Sequence, residues 1–343
     1  TVIQEGFVNT SSTTTFTVTS ENVPDVRVFT KDTNNTLFVN SKHIPPTDYE
    51  MYYTKVYASG YNNRYQLMNG NASQQTTAQE ILNSYDVLAM DMGHEFSVFV
   101  TRDHKVYAIG YNNYGQLGVG DTTQRNVVTQ VDISDEVVDV KCGYAHTIFL
   151  TKDGKVFGCG YNGNGHLGLN NTTNQYSPVQ LIPDYTIISI EAHYYGCFFV
   201  TEDFKVYSCG HNSKGQLGDG TVTQRNYPVL VHVDEPVEKV RATRSTNGTT
   251  IFLTKYGSVY GCGYNGHGQI GDSTTSQRNK PVRSLINKHV IDIDTGNYHV
   301  LYLTSEQEVY GSGYNGQYQL GDSTNGNKST PTRVMQTFDK VKK

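Results

Sequence analysis

The stretch VYAIGYNNYGQLG (106–118) decides the fold, because it recurs. Five relatives stand in the same chain: VYASGYNNRYQLM (56–68), VFGCGYNGNGHLG (156–168), VYSCGHNSKGQLG (206–218), VYGCGYNGHGQIG (259–271) and VYGSGYNGQYQLG (309–321). Their central glycines are Gly60, Gly110, Gly160, Gly210, Gly263 and Gly313, so the spacings are 50, 50, 50, 53 and 50. A worn seventh copy opens the chain, where Val2–Phe7 can be laid on Val56–Tyr61. A fixed period of this size marks a stack of supersecondary units.

Each unit reads as four short strands. In the third explicit unit they are Val137–Lys141, Thr147–Thr151, Val156–Cys159 and Pro178–Ile182, with a tight turn at Lys152-Asp153-Gly154. Turn signals every 8–12 residues suit a sandwich, barrel or propeller, and strict repetition of four strands selects the propeller. The Val and Tyr/Phe pairs at 106/107, 156/157, 206/207, 259/260 and 309/310 are expected to pack between neighbouring blades. A glycine closing each such strand permits φ > 0 or close backbone approach. The Leu or Ile at 67, 117, 167, 217, 270 and 320 is expected to anchor the connecting loop in the apolar seam.

Composition agrees and excludes other classes. Of 343 residues, 36% are hydrophobic and 17% charged; there are 33 Gly, 26 Tyr and no Trp, and the formal net charge is −5. No apolar run approaches the ~20 residues that span a bilayer. No basic block offers a nucleic-acid arm. Five cysteines, three of them at one repeat position (Cys159, Cys209, Cys262), read as small buried residues and point to a reducing, intracellular compartment, cytoplasmic by default. The chain also carries seven N-x-S/T sequons, which its Asn, Ser and Thr content produces largely by chance.

The polar runs GVGDTTQRN (118–126), GDGTVTQRN (218–226) and GDSTTSQRN (271–279) pair Asp121, Asp219 and Asp272 with Arg125, Arg225 and Arg278. One reading is an anion-binding ring of arginines. The preferred reading is structural, each Arg bonding loop carbonyls or its neighbouring Asp, since repetition in every blade is what a structural role demands.

The recurring GYNxxGQLG-D-x-T-x-x-R pattern resembles the regulator of chromosome condensation repeat over residues 56–337. The resemblance implies an all-β, seven-bladed propeller of four-stranded blades, one domain over 1–343, whose termini share a blade. Val2–Asn9 and Thr15–Ser20 would meet Phe338–Val341 there. The family includes guanine nucleotide exchange factors for Ran-type GTPases, chromatin binders, photoreceptors and scaffolds. This chain lacks the basic tail of the founding exchange factor and an obvious counterpart of its inserted wedge. The Trp cluster of the photoreceptor branch is missing too, and the charge disfavours chromatin.

No H-E-x-x-H, C-x-x-C or P-loop appears, so no catalytic, metal or cofactor residue is assigned. His146 and His299, each in a Gly-x-x-His context, read as bonding the blade backbone. No cluster of ionisable residues at one mouth of the channel stands out. The expected function is a non-enzymatic scaffold or regulatory propeller binding a protein partner, with exchange activity on a small GTPase as the alternative. Tyr and Arg dominate interface hot spots. The loops between first and second strands therefore nominate Phe96, Tyr144, Tyr194, Tyr195, Arg241, Arg244 and Tyr298. Tyr49, Tyr52 and Tyr53, in the loop 41–54, form a second candidate site.

Overall fold

The computed structural model describes the strand backbones Ile3–Asn9, Ser12–Val18, Val26–Lys31 and Thr36–Ser41, and residues 55–334 in full. Every regular element described is a strand; no helix long and apolar enough to cross a membrane occurs among these residues. The strands form six four-stranded antiparallel sheets in chain order, each a simple meander. We number these blades 1 (26–81), 2 (87–131), 3 (137–181), 4 (187–231), 5 (237–283) and 6 (290–334). Among the described residues, Ile3–Asn9 and Ser12–Val18 pair with each other, in the register Asn9↔Ser12. Only Thr10 and Ser11 stand between these two strands in the sequence, so the worn copy carries no Gly-rich stretch there. Phe338–Val341 lies outside the described residues, as do Tyr49, Tyr52 and Tyr53.

Blade 3 shows how closely the repeat sets the strands. They run Val137–Cys142, His146–Thr151, Val156–Gly160 and Gln175–Leu181. The last begins three residues before the expected Pro178, because Gln175 pairs with Gly160 across an irregularity in the register. Gly160 has φ +102°, and a Cβ there would lie 2.5 Å from the Ala145 carbonyl oxygen. Only glycine fits both demands.

One blade cannot bury its two faces alone, and five seams between successive blades do that work. The seam between blades 2 and 3 joins Val98, Val100, Val106, Leu117 and Val131 to Val137, Val140 and Phe149. The seam between blades 3 and 4 repeats it with Ile148, Leu150, Val156, Leu167 and Leu181 against Ile187, Ile190 and Phe199. Each large side chain so buried contributes roughly 1.5–3 kcal/mol. The loop anchors Leu67, Leu117, Leu167, Leu217 and Ile270 are wholly buried, as the repeat implied. All five cysteines are buried, and none forms a disulfide among the described residues.

A polar latch recurs at each seam. Ser97, Thr147, Thr250 and Ser312 donate their hydroxyls to the carbonyl oxygens of Gln66, Gln116, Gln216 and Gln269 on the preceding blade, at 2.7, 2.7, 2.8 and 2.8 Å. Between blades 3 and 4 the donor is the Cys209 thiol, 3.1 Å from the His166 carbonyl. First strands of successive blades lie next to one another and form the inner lining of the assembly. All loops between strands 1 and 2, and between strands 3 and 4, therefore emerge at one end.

Candidate interaction face

The long loops between strands 3 and 4 are built on one asparagine each. Asn62, Asn112, Asn162, Asn212, Asn265 and Asn315 are all fully buried. Asn112 Nδ2 donates to the carbonyls of Asp121 and Thr123 at 3.0 and 3.1 Å, while its Oδ1 accepts the Leu117 N–H at 3.0 Å. One side chain thus ties both halves of a loop that has no ladder to satisfy it. The sequence analysis gave this Asn no role, although its presence in all six copies was the available signal.

The loop arginines behave as the structural reading held. Arg125 meets Asp121 at 2.7 Å, Arg225 meets Asp219 at 2.7 Å and Arg278 meets Asp272 at 2.7 Å, each inside its own loop. The hydrogen bond from Arg125 holds the Asp121 carboxyl below the ordinary aspartate range. Guanidinium groups committed in this way do not make an anion ring.

The short loops between strands 1 and 2 of blades 2, 3 and 4 are chained by backbone bonds. The His94 N–H donates to the Tyr144 carbonyl at 3.0 Å, and the Tyr144 N–H to the Tyr194 carbonyl at 3.1 Å. Their rings follow in a row: His94 stacks on Tyr144 at 4.5 Å, Tyr144 lies tilted 4.5 Å from Tyr194, and Tyr194 meets Tyr195 edge-on at 4.6 Å. Tyr161 continues the row 5.6 Å from Tyr195, with Tyr114 a further 5.2 Å on. Burial pushes the Tyr144, Tyr194 and Tyr195 phenols up, so they stay neutral hydrogen-bonding groups. Tyr298 stands in a second group with His267 at 5.2 Å and Tyr264 at 6.1 Å.

Two nominated residues are not on this face. Phe96 is 1% exposed and belongs to the seam between blades 2 and 3. It opens a second strand and folds its ring over Gly93, where a Cβ would come within 1.8 Å of Cε1. His146 does the same over Gly143, and His299 over Gly296, which explains the Gly-x-x-His context. The expected bond from His146 to the blade backbone is not made: its Nε2 lies 3.4 Å from Cys197 Sγ, and its Nδ1 is buried without a hydrogen-bond partner. Arg241 lies on the first strand of blade 5, not on a loop, and its Nη1 is 3.1 Å from Glu191.

Arg241 belongs to a belt of charges on the first strands that the sequence analysis missed. At one repeat position stand Asp91, Lys141, Glu191, Arg241 and Asp294, alternating in sign. Lys141 also meets Asp139 at 2.7 Å, and Lys239 pairs with Asp292. Burial works against the Lys141 ammonium, yet Asp139 and Asp91 hold its pKa above the ordinary lysine value. Burial beside Arg241 pushes Lys239 below it. The belt counters its own charges, and no group of three His, Cys, Asp or Glu among the described residues is placed to hold a metal.

Arg244 comes from the loop after this strand. It reaches Asp91 Oδ2 on blade 2 at 2.9 Å and also donates to the Met92 carbonyl. Beneath the aromatic row, His146 and His166 lie 4.2 Å apart, with His193 also buried. Burial pushes all three imidazoles down, His166 and His193 to about 3.

Blades of this kind, with an Asn-tied Gly-rich loop and neutral aromatic turns, define a class of repeat propeller rather than one protein. The profile of the RCC1-like domain family matches residues 54–343, and the chain belongs to that family. Among solved structures it is similar to human WBSCR16, with TM-score 0.76 and 20% identity over 96% of this chain and 86% of that one. It is also similar to Prp20p of Saccharomyces cerevisiae, with TM-score 0.74 and 18% identity over 88% and 75%. The same yeast protein bound to Kap60 gives TM-score 0.72 at 18% identity, over 88% of this chain and 73% of that one. No curated protein matches the chain.

Proposed function

We propose that the chain is a non-enzymatic, intracellular regulatory propeller. In this reading residues 1–343 make one domain of seven blades, the last shared by the two chain ends. It binds a protein partner through the face bearing Tyr144, Tyr194, Tyr195, Arg244 and Tyr298. The observation that carries the reading is the aromatic row His94–Tyr144–Tyr194–Tyr195, whose first three members are joined by backbone bonds between three blades. Rigid tyrosines amid Asn, Gly and Ser supply large contact area at low entropic cost, as in antibody binding loops. The loop with Tyr49, Tyr52 and Tyr53 is the second candidate. No cofactor is invoked, and the net charge disfavours nucleic acid.

The test is affinity capture with the full chain, read by mass spectrometry. The double change Tyr194→Ala and Tyr195→Ala is expected to lose the captured protein at least tenfold, a figure of about 1.4 kcal/mol, while its urea midpoint stays close to that of the unchanged chain. Undiminished capture by a folded double variant would sink the reading. A second reading, exchange activity on a small GTPase, draws on the yeast relative, whose structural study concerns binding to Gsp1p and histones. Faster release of fluorescent GDP from a member of a small-GTPase panel would favour it; unchanged release across the panel would not.

A further inference from the structure

The six-copy period breaks once, between Gly210 and Gly263, by three residues. The blade 5 loop between Ala242 and Thr249 is correspondingly longer than the two-residue turn Tyr194-Tyr195 of blade 4. What the longer loop delivers is Arg244. Its guanidinium crosses to the far wall of the lining, 153 residues away in sequence. It is received by a carboxylate and a carbonyl: Asp91 Oδ2 at 2.9 Å and the Met92 oxygen. Asp91 Oδ2 also accepts the Cys142 N–H at 2.8 Å, which fixes the carboxylate at the joint between blades 2 and 3. The two side chains are 18% and 13% exposed, so the pair is mostly shielded but not sealed from solvent.

Charge at this end sharpens the point. Asp121, Asp219, Asp272 and Asp322 are each held by a base of their own loop or the strand it enters, and Glu95 sits 3.5 Å from Arg64 of the adjoining blade. Asp91 differs, because besides Lys141 of the next blade it faces a cation that arrives from the opposite wall on an inserted loop. A preset carboxylate beside a carbonyl is the acceptor geometry that suits a planar, multi-donor guanidinium better than an ammonium. The loops that leave Met92 and Cys142 carry His94 and Tyr144, so the same residues that seat the guanidinium anchor the aromatic row.

We propose that the mouth of the lining is an arginine-recognition site that this chain fills with its own Arg244, and that an arginine side chain of the protein partner is the ligand that replaces it. The inference rests on the reading of this end as the partner-binding face. It adds the chemistry of the contact at its centre. The inserted loop acts as a resident occupant, and a partner gains access by offering the same group.

The experiment uses the full chain with Arg244→Ala, and Arg244→Gln as a second variant that keeps two of the three methylenes and an uncharged amide donor. N-acetyl-arginine amide and its uncharged isostere N-acetyl-citrulline amide are the probes, read by calorimetry and by thermal unfolding. Either folded variant is expected to bind the arginine probe saturably, with the citrulline probe weaker by about tenfold or more, consistent with loss of a charge-assisted hydrogen bond. The unchanged chain, with its site occupied, should show a much smaller response. Adding Asp91→Asn to the Arg244 variant should abolish the preference. Equal responses to both probes in a folded Arg244 variant would overturn the site. If the arginine probe binds while the Tyr194/Tyr195 double variant keeps full capture, the site stands and the face reading falls. If the probe fails while that double variant loses capture, the face stands and the site falls.

Discussion

The two ends of the blades are made from opposite chemistry on one scaffold. At the end where strands 1–2 and 3–4 are joined, the loops are Tyr, Asn, Gly, Gln and Thr, and the carboxylates are tied inward. At the other end the turns are short and charged, with Arg102 beside Asp86 at 3.1 Å, Lys152 beside Glu136 at 2.8 Å and Lys155 beside Asp135 at 2.9 Å. The difference shows where order is required. Exposed ion pairs keep a surface soluble and need no fixed geometry. Neutral rings and amides hold one arrangement only if their backbone groups are satisfied, and the buried asparagines satisfy them.

The largest effect expected from this contrast is at the neutral end. Asn112→Ala leaves the Asp121 and Thr123 carbonyls and the Leu117 N–H without the partner they have now. A cost of about 3 kcal/mol follows from orphaning such groups, read as a lower urea midpoint at unchanged slope. A loss below about 1 kcal/mol would mean that water enters the loop freely and that the asparagine is no keystone.

A second test acts on the layer under the aromatic row. His166 and His193 are neutral when folded, with pKa values near 3, while an unfolded histidine takes a proton below about 6.5. The unfolded chain therefore binds more protons between those values. Stability should be full above about pH 6.5 and fall as pH drops toward 3, by roughly 1.4 kcal/mol per pH unit for each histidine. Other copies carry Gln where blade 3 carries His166, and Gln116 there receives the Tyr114 N–H at 3.0 Å. His166→Gln should remove one histidine's share of the slope. An unaltered slope would show that the imidazole is solvated in the folded chain.

The smallest effect belongs to the charged end. Lys152→Ala breaks an exposed pair with Glu136 and should change stability by less than about 0.5 kcal/mol, less still at high salt. A change above about 1 kcal/mol would make that end as ordered as the other and erase the contrast.

Most of the scaffold was legible in the sequence because the features that make it are local and repeated. Gly160 and its equivalents, Leu117 and its equivalents, and the four strands of blade 3 followed from one period. The candidate face was legible in part. Tyr144, Tyr194 and Tyr195 lie in the short turns where the sequence analysis set them, because connections of two or three residues have little room to bury a tyrosine. Phe96 was misassigned because it looks like loop but begins a strand, and Gly93 lets its ring turn inward. The charged belt stayed hidden because a sign that alternates from copy to copy looks like variation, and becomes a pattern only when the first strands stand side by side. Nothing local in Ala242–Thr249 says that Arg244 crosses to Asp91, since that contact is created by the curvature of the whole lining.

The alternating belt also bears on how so repetitive a chain chooses its partners while folding. Its wedges are nearly interchangeable in shape, so skipping one is a natural error of assembly. Omitting blade 4 would bring Lys141 toward Arg241, and omitting blade 3 would bring Asp91 toward Glu191. Either mistake sets like charges together in a poorly hydrated core, where repulsion is strongest. Correct succession places Glu191 against Arg241 and Asp91 near Lys141. The sign at a single residue in each wedge thus works as an ordinal label, telling otherwise identical neighbours which comes next.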